Sequence, residues 1–302
     1  MKPSKIAIFG VGNVGATIAY TLMLQNIAAE ILLVDANVAR CQGEFLDLED
    51  VLPFCSTSKI KNATLQQAAQ SDIIIITAGA AQKPGQTRLE LFSTNKNIMD
   101  SIIKYLKPLN PQAIIIVVSN PVDLLTLHIQ NKHILPRSHI FGSGTFLDTQ
   151  RLKFAIAHKF DIAPQTITTY ILGEHGDTQF PAWSSTECAE KSILSVPNID
   201  QTQLDTLAQE AKNKAYEIIT CKGYTNYGIS TCVAALCQSI ICNQKQVFPV
   251  SCYVSEFDVC LSMPCIISQK GIEKIYPLSL NDQEKKLLQI SAEALHTIAQ
   301  KL

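Results

Sequence analysis

The stretch Ile6–Tyr20, IAIFGVGNVGATIAY, determines the fold of the first half of this chain. An apolar run leads directly into Gly10, Gly12 and Gly15, which have the spacing G-x-G-x-x-G, and a helical pattern follows. In a dinucleotide-binding unit the first glycine permits a tight turn, the second lets the backbone approach a pyrophosphate, and the third lets helix and strand pack closely. The N-terminus of the helix then offers unpaired N–H groups to the phosphates. The sequence therefore predicts a nucleotide-binding strand–turn–helix unit.

Asp35 ends the second apolar run, ILLVD, twenty residues after Gly15. A carboxylate at this point can accept hydrogen bonds from the ribose hydroxyls of NAD, and it would repel the 2′-phosphate of NADP. We therefore predict NAD as the cofactor. The alternative for these residues is a plain strand–helix turn followed by a helix-capping aspartate.

The overall composition excludes some classes of partner. The chain has 302 residues, of which 47% are hydrophobic and 17% charged, and a formal net charge of −1. This length allows one large domain or two modest ones. The basic residues are scattered, so we expect neither nucleic acid nor a membrane surface as a partner.

The cysteines and the N-terminus indicate the compartment. None of the ten cysteines forms a Cys-x-x-Cys pair, and we expect reduced, small, buried side chains. The N-terminal run lacks the pattern of a signal peptide. No apolar stretch reaches the roughly 18 residues that a membrane span needs. We expect a soluble, cytoplasmic protein.

Apolar, strand-like runs alternate with amphipathic stretches throughout the first half of the chain. Apolar strands that alternate with helices predict a parallel sheet covered on both faces. The predicted elements are strands at Lys5–Phe9, Glu30–Val34, Ile73–Thr77 and Ala113–Ser119, with a helix at Ile98–Leu106 among the connections.

The second half has longer helical stretches and an antiparallel strand pair. We therefore predict an α/β protein in which a Rossmann-type parallel-sheet domain, residues 1–143, precedes an α+β substrate domain, residues 144–302. The boundary is placed in FGSGTFLD, which is rich in small residues. The predicted elements are helices at Asp148–Lys159, Gln201–Thr220, Ser230–Cys242 and from Leu280 onward, and strands at Thr166–Gly173, Gln246–Val254 and Val259–Ser268.

His175 differs from the other five histidines because it lies in GEHGD, between Gly173 and Gly176. Glycines on both sides suit close approach of a ligand to the backbone. Asp148 and Arg151 are three positions apart on a predicted helix, so their side chains point the same way. Taken alone, the pair is also compatible with a surface ion pair, and a histidine is more often structural than catalytic. Together the three residues form the candidate catalytic group.

Seven short segments, in order along almost the whole chain, carry a resemblance to a known family. They are GVGNVG, VDAN, TAGAAQKPGQTRLELFSTN, VSNPVD, GSGTFLDTQR, GEHGD and KGYTNYGIS. With these segments the chain resembles the L-lactate/malate dehydrogenase family, and it is most similar to the lactate-specific members. The resemblance implies reversible hydride transfer between NADH and pyruvate to give L-lactate. Malate dehydrogenase and a dehydrogenase for larger 2-oxo acids remain the alternatives.

The resemblance also implies a role for each candidate catalytic residue. His175 would donate a proton to the substrate oxygen and take it back in the reverse reaction, which suits its near-neutral pKa. Asp148 would orient the imidazole and raise its pKa. Arg151 would hold the substrate carboxylate through a two-pronged contact. Arg88 would polarise the carbonyl and so stabilise the transition state.

Two further substrate positions come from the resemblance. Asn120, in SNPVD, would lie near the substrate oxygen and the nicotinamide; the alternative is a turn residue before Pro121. Thr225, in GYTNYG, would line the substrate pocket; the alternative is a helix N-cap. The expected cofactor-binding residues are Gly10, Gly12, Asn13, Val14, Gly15, Asp35, Thr77, Ala78, Gly79, Ser119 and Asn120.

The loop GAAQKPGQTRLE, residues 79–90, is expected to select the substrate. In the family this loop closes over bound substrate, which would bring Arg88 to the site only when substrate is present. Gln82 matches the position that faces the substituent distinguishing lactate from malate, where malate dehydrogenases typically have arginine. A neutral glutamine offers no cation to a second carboxylate. Gln82 therefore favours pyruvate over oxaloacetate.

The chain departs from the family at a regulatory position. Many bacterial members are activated by fructose 1,6-bisphosphate through an arginine and a histidine, where this chain has Lys153 and Thr168. Lysine cannot form the bidentate phosphate contact of arginine, and threonine removes a cation, so we expect weak or absent activation.

The family also implies a homotetramer, for which the sequence itself gives slight support. A non-catalytic NAD-binding protein on this scaffold would be expected to lack at least one of the four catalytic residues, and all four are present.

Overall fold

The structure is a computed structural model that describes residues 4–55, 59–81, 85, 87–197 and 199–300. Gln82, the predicted selector of substrate, lies outside the described residues. The strands within these ranges are β1 (Lys5–Phe9), β2 (Glu30–Val34), β3 (Lys59–Asn62), β4 (Ile73–Ile76), β5 (Ile114–Val117), β6 (Ile140–Gly142), β7 (Ile167–Thr168), β8 (Ile171–Leu172), β9 (Phe180–Pro181), β10 (Glu187–Cys188), β11 (Lys191–Ser192), β12 (Gln246–Val254), β13 (Val259–Ser268) and β14 (Gly271–Ile275). The α-helices there are α1 (Asn13–Leu24), α2 (Val38–Glu49), α3 (Leu65–Ala68), α4 (Arg88–Tyr105), α5 (Val122–Gln130), α6 (Phe146–Phe160), α7 (Gln201–Lys222), α8 (Tyr227–Ile241) and α9 (Asp282–Ala299).

One sheet of nine strands runs through the described part of the protein, in the order β14-β13-β12-β6-β5-β4-β1-β2-β3. Strands β1 to β6 pair in parallel, as the alternation of apolar runs and helices predicts. Beyond them β12, β13 and β14 continue the sheet in antiparallel fashion. Pairing of Ser251 with Gly142 joins the two parts. A single sheet therefore connects the N-terminal and C-terminal halves of the chain.

Alternate residues along the central strands enter two apolar clusters, one on each face of the sheet. On β1, Ile6 and Ile8 pack towards α1, α2 and α8, whereas Ala7 and Phe9 pack towards α4, α5 and α9. All four side chains are at most 2% exposed. Fully burying a large apolar side chain contributes roughly 1.5–3 kcal/mol. With both faces covered in this way, the carboxyl ends of the parallel strands are the place where ligands bind.

The predicted strand Thr166–Gly173 is interrupted in the structure. Its first part, β7, pairs with β10, and its last part, β8, pairs with β9. Thr149 Oγ1 accepts a hydrogen bond from Ile171 N at 2.9 Å, and Thr169 Oγ1 lies 2.7 Å from Thr186 Oγ1. Thr169 and Tyr170 separate the two short strands, so the prediction of a single strand was wrong.

Helix α4 begins at Arg88, ten residues before the predicted helix Ile98–Leu106. Thr87 and Glu90 form a capping box, in which each side chain accepts a hydrogen bond from the backbone N–H of the other residue. Arg88 therefore lies on the first turn of a helix rather than at the end of a loop.

The ten cysteines are all free thiols. Cys221 and Cys242 are exposed and Cys55 is half-buried, while the others are buried, which is mostly as predicted. Burial raises the pKa of Cys232 to about 12. Among the described residues, no cluster of His, Cys, Asp and Glu could hold a metal ion. None of the helices in the described ranges is long and apolar enough to cross a membrane.

Candidate active site

The turn after β1 has the form that a phosphate-binding loop requires. We call this turn and the start of α1, residues 10–15, the cradle. Gly10 has a φ of +92°, a left-handed conformation that side chains rarely adopt, and its N–H donates to Val34 O at 2.8 Å. A Cβ on Gly15 would overlap the carbonyl oxygen of Gly10, so α1 approaches the turn closely only because residue 15 is glycine. Gly12, by contrast, has open space where a Cβ would point.

The first turn of α1 faces this open space without a cap of its own. Gly12 is the N-cap residue and no side chain accepts a hydrogen bond at this end of the helix. The first backbone N–H groups of a helix have no intrahelical partner, and they carry the positive end of the helix dipole. The N–H groups of Asn13, Val14 and Gly15 are in these positions. The cradle therefore fits a pyrophosphate group.

Asp35 lies beside the same turn, at the end of β2. Its Oδ2 accepts a hydrogen bond from Val11 N at 2.6 Å and its Oδ1 accepts one from Asn37 N at 2.8 Å. A carboxylate has about four acceptor positions, so it can still accept hydrogen bonds from ribose hydroxyls. Its negative charge would oppose a 2′-phosphate. The residues at this end of the sheet fit NAD.

The ends of β4 and β5 are tied to the cradle by hydroxyl groups. Thr77 Oγ1 donates to Gly10 O at 2.6 Å. Ser119 Oγ donates to Ala78 O at 2.7 Å. These predicted cofactor residues therefore lie at one edge of the sheet together with the glycine turn.

Asn95 connects this edge to the segment that follows β5, a contact that the sequence analysis missed. Its side chain is buried on α4, its Oδ1 accepts from Ala80 N at 2.7 Å, and its Nδ2 donates to Asn120 O at 2.7 Å. Gly79 lies against the same amide, since a Cβ there would come within 3.3 Å of Asn95. Asn95 ended one of the family-like segments, but nothing in its type or spacing indicated a bridging role. The bond between Asn120 and Pro121 is cis.

The structure brings the three members of the candidate catalytic group together. Asp148, on the first turn of α6, is 3% exposed. Nδ1 of His175 lies 2.7 Å from Asp148 Oδ2, and Arg151 Nη1 donates to Asp148 Oδ1 at 3.0 Å. One buried carboxylate therefore holds both a histidine and an arginine.

The pKa values at this cluster follow from its charges. Burial by itself lowers the pKa of His175, but the charge and hydrogen bond of Asp148, with the charge of Asp123, outweigh burial and raise the pKa of His175 above its usual value. Burial pushes the pKa of Asp148 upwards, but His175 and Arg151 outweigh it and hold the pKa below its usual value. The pair is therefore arranged to carry a protonated imidazole against an ionised carboxylate.

Asp123 supports the backbone of the histidine loop, and the sequence analysis gave it no role. Its side chain is 2% exposed and its Oδ2 accepts a hydrogen bond from His175 N at 2.8 Å. Burial raises the pKa of the Asp123 carboxyl group. Its place in VSNPVD, just after Asn120, is a signal that could have found it.

Arg88 reaches the histidine loop from the first turn of α4. Its Nη1 contacts Glu174 Oε1, and its Nη2 donates to His175 O at 3.2 Å. Arg88, predicted from the resemblance, therefore joins the other three catalytic residues. Glu174, its partner, lies in GEHGD beside His175, and the sequence analysis gave it no role.

The four predicted catalytic residues line a single cavity of about 200 Å³. Helix α7 forms one wall of this cavity with Lys212, Ala215, Tyr216 and Ile219, which the sequence analysis did not anticipate. Nothing in a helical pattern shows which of its faces borders a cavity rather than solvent. The described residues that line the cavity are Arg88, Leu91, Asn120, Pro121, Asp148, Arg151, His175, Gly176, Asp177, Gln179, Lys212, Ala215, Tyr216 and Ile219.

Thr225 lies between α7 and α8 and is half-buried. Within the described ranges it is not among the residues that line the cavity. It is not a helix N-cap either, because α8 has Asn226 in that position.

These features together define a class of protein. A cradle that fits NAD lies at the carboxyl edge of the sheet, and Asn120 connects that edge with the cavity. The cavity contains a histidine with a raised pKa and two arginines suited to an anionic substrate. This arrangement is that of an NAD-dependent dehydrogenase for a small carboxylic acid.

Comparison with known proteins leads from the class to a family. Residues 4–142 match the family described as lactate/malate dehydrogenase, NAD binding domain. Residues 145–302 match lactate/malate dehydrogenase, alpha/beta C-terminal domain. The chain belongs to the lactate/malate dehydrogenase family.

Individual relatives are similar over nearly their whole length. L-lactate dehydrogenase A of Rhizopus oryzae is 41% identical over 295 residues, covering 98% of this chain and 92% of that protein. L-lactate dehydrogenase of Clostridium botulinum strain 657 is 41% identical over 301 residues, covering 97% and 95% respectively. The crystal structure of minor L-lactate dehydrogenase from Enterococcus mundtii in a ligand-bound form has a TM-score of 0.95 and 36% identity, covering 100% of this chain and 99% of that one.

Proposed function

We propose that this protein is an L-lactate dehydrogenase, which interconverts pyruvate and L-lactate with NADH and NAD⁺. The observation that carries the proposal is the His175–Asp148 pair on the wall of a cavity that also contains Arg151 and Arg88. A proton donor, a carboxylate receptor and a carbonyl polariser are what reduction of a 2-oxo acid requires. The similarity to L-lactate dehydrogenases over nearly the whole chain supports the same activity.

His175 acts as the acid and base. Because Nδ1 is held by Asp148, Nε2 is the ring nitrogen that exchanges a proton with the substrate oxygen. The raised pKa keeps the imidazole protonated for reduction of the carbonyl. When bound, NADH supplies the hydride that reduces the carbonyl carbon. In the reverse direction the neutral imidazole takes the hydroxyl proton of lactate.

The two arginines bind different groups of the substrate. Arg151 is fixed by Asp148 through one nitrogen, and the other edge of its guanidinium pairs with the substrate carboxylate. Arg88 polarises the carbonyl and stabilises the oxyanion that develops on it. Asn120 contributes a further polar group near the same oxygen and the nicotinamide. Thr225 lies outside the described residues that line the cavity, and a role for it in the substrate pocket rests on the resemblance to the family alone.

The cofactor residues and the domain division complete the proposal. The glycine turn and the N–H groups of Asn13 and Val14 would hold the pyrophosphate, and Asp35 would hold the adenosine ribose. Thr77, Ala78, Gly79 and Ser119 form the nicotinamide side of the cradle. We divide the chain into an NAD-binding domain, residues 1–143, and a substrate domain, residues 144–302. The two family matches, which meet near this division, support it.

Pyruvate is favoured over doubly charged acids. Gln82 is neutral, and a second carboxylate buried next to it would lose hydration without gaining a cation. Malate dehydrogenase is therefore the second candidate within the family. A larger 2-oxo acid is the third, because Gln82 does not fix the volume of the pocket.

We place the enzyme in the cytoplasm as a homotetramer with little response to fructose 1,6-bisphosphate. Ten free thiols suit a reducing compartment. The tetramer is taken from the family. Lys153 and Thr168 border a small cleft beside α6 and β12, where they offer a sugar bisphosphate one cation and no guanidinium.

Product analysis tests the proposed activity directly. The protein is incubated with pyruvate and NADH, and the two enantiomers of lactate are quantified against the NADH consumed. We expect one molecule of L-lactate for each NADH. His175→Asn should abolish turnover while leaving the Kd for NADH unchanged. Formation of D-lactate, or full turnover by His175→Asn, would contradict the proposal.

A further inference from the structure

Glu174 and Arg88 meet at the active-site cavity although 86 positions separate them in the chain. Arg88 presents two nitrogens, one to Glu174 Oε1 and one, at 3.2 Å, to His175 O. The two acceptors belong to adjacent residues, so together they bind one planar guanidinium group. The Glu174 side chain is 5% exposed and that of Arg88 is 32% exposed. The carboxylate is therefore the buried partner, and the cation reaches it from the side of solvent.

Glu174 is held by contacts that do not involve Arg88. Thr178 Oγ1 donates to Glu174 Oε2 at 2.5 Å, and Glu174 N donates to Ser291 Oγ at 2.6 Å. Thr178 Oγ1 also lies 3.0 Å from Ser291 Oγ, on the buried side of α9. Thr178 thus orients the carboxylate, and Ser291 of α9 supports both Thr178 and the Glu174 backbone.

Gly176 completes a socket for the guanidinium. A Cβ on Gly176 would overlap the guanidinium nitrogens of Arg88, so the absence of a side chain leaves room for the group. We call Glu174 Oε1, His175 O and the space beside Gly176 the guanidinium socket.

The positive charges in the cavity also require a carboxylate beside Arg88. When His175 is protonated, the cavity is lined by four cationic groups, His175, Arg151, Arg88 and Lys212, the last of which pairs with Asp177. Asp148 contacts the first two through its two oxygens. Arg88 has Glu174 as its ion-pair partner. Partly buried cations of like sign are costly unless each has a counter-charge.

We propose that Glu174 is a positioning residue for the reaction, whose carboxylate holds and partly neutralises the Arg88 guanidinium so that it faces the substrate carbonyl. This inference rests on the proposed function, which gives Arg88 its role at the carbonyl. Glu174 acts through Arg88. It takes no part in proton transfer.

A double-mutant cycle tests whether Glu174 acts through Arg88. Glu174→Gln keeps the shape but removes the charge, and we expect kcat to fall by roughly ten- to a hundredfold with little change in KM, because the lost contact serves the transition state. Arg88→Ala should lower kcat further. The kcat of the double variant should be close to that of Arg88→Ala, because Glu174 has no guanidinium group to hold once Arg88 is removed. Glu293→Gln, a charge loss at an exposed position of α9, should leave kcat unchanged.

Restoring activity with free guanidinium ion tests whether the guanidinium socket binds this group. Guanidinium chloride, well below denaturing concentrations, should restore part of kcat to Arg88→Ala with a saturating dependence. The double variant Arg88→Ala/Glu174→Gln should need a much higher concentration or show no rescue. Arg88→Ala/Glu293→Gln should be rescued like Arg88→Ala. Thr178→Val, which keeps the charge but loosens the carboxylate, should lower kcat less than Glu174→Gln does.

The outcomes separate the inference from the function it rests on. Full activity of Arg88→Ala would overturn the proposed role of Arg88, and the role of Glu174 with it. Loss of activity in Arg88→Ala, combined with a further multiplicative loss from Glu174→Gln and equal rescue of the single and double variants, would overturn the inference alone. If Glu174→Gln does not fold, equal rescue by guanidinium ion of Arg88→Ala and Arg88→Ala/Thr178→Val would also overturn it.

Discussion

Nδ1 of His175 lies 2.7 Å from Oδ2 of Asp148, so one ring nitrogen is committed to a buried carboxylate and Nε2 is left for the substrate. The His175 side chain is 29% exposed and that of Asp148 is 4% exposed, so the ring stands between the protein interior and the cavity. This relationship fixes which proton moves and at what pH the protein can move it.

Asp148→Asn should shift the pH dependence of pyruvate reduction. Reduction needs a protonated His175, so kcat/KM should fall as the pH rises through the pKa of His175. The Asp148 charge contributes to raising that pKa, and its removal should move the decline to lower pH. Loss of the charged hydrogen bond should also reduce kcat/KM by roughly ten- to a hundredfold. The measurement is kcat/KM for pyruvate across the pH range.

Asp161→Asn is the control for this shift, because Asp161 ends the same helix in a left-handed conformation that asparagine tolerates. It should have the wild-type pH profile. In Asp148→Asn, the fall of kcat/KM with pH could instead stay at the wild-type pH or move to higher pH. Either result would show that Asp148 does not raise the pKa of His175.

Arg151→Lys should weaken substrate binding more than cofactor binding. Lysine keeps the charge but offers a single point contact where the guanidinium offers two parallel donors. We expect KM for pyruvate to rise by about tenfold or more, with the Kd for NADH unchanged. Arg137→Lys, the same change outside the cavity lining, should alter neither constant. An unchanged KM in Arg151→Lys would remove Arg151 from the carboxylate site.

Gly12→Ala should affect the cofactor and not the fold. No atom lies within 4 Å of the position that its Cβ would take, and the φ of −80° at Gly12 is open to alanine. The added methyl group would occupy the space where the pyrophosphate must approach. We expect the Kd for NADH to rise by about tenfold or more, at an unchanged Tm. Calorimetric titration and thermal unfolding measure the two effects.

Gly43→Ala is the matched control, since a Cβ there also meets no atom within 4 Å but lies on α2. It should leave the Kd for NADH unchanged and raise stability by roughly 0.5–1 kcal/mol. Equal NADH affinity of Gly12→Ala and Gly43→Ala would argue against a pyrophosphate at the turn.

Gln82→Arg should move substrate preference towards oxaloacetate. The added cation would pair with the second carboxylate of that substrate, and discrimination of this kind is on the order of several kcal/mol. The quantity to compare is the ratio of kcat/KM values for oxaloacetate and pyruvate. Gln66→Arg, which makes the same charge change on an exposed face of α3, should leave the ratio as in the wild type. The pocket assignment fails if the two variants give the same ratio.

Local signals in the sequence were enough to predict the cofactor-binding turn and part of the catalytic group. The glycine spacing fixes a turn and a helix within one short segment, and Asp148 and Arg151 are neighbours on one helix. Such features depend on contacts between residues close in the chain, and periodicity and spacing report those contacts directly.

The remaining features depend on contacts between distant parts of the chain. Arg88 and Glu174 meet across 86 positions, and Glu174 N meets Ser291 across 117. The wall that α7 adds to the cavity depends in the same way on how whole elements pack. The segment TRLE contains the Thr87–Glu90 capping box, a local signal that places the start of α4 at Arg88, ten residues before the predicted helix.

The most direct test of the proposed activity is the ratio of kcat/KM for pyruvate to kcat/KM for oxaloacetate, measured side by side with NADH on the unaltered protein. We predict a strong preference for pyruvate, because Arg151 is the proposed receptor for a single carboxylate and the neutral Gln82 provides no cation for a second one. A preference for oxaloacetate would contradict the assignment of the substrate, while turnover of neither acid by protein that binds NADH would contradict the assignment of lactate dehydrogenase activity itself.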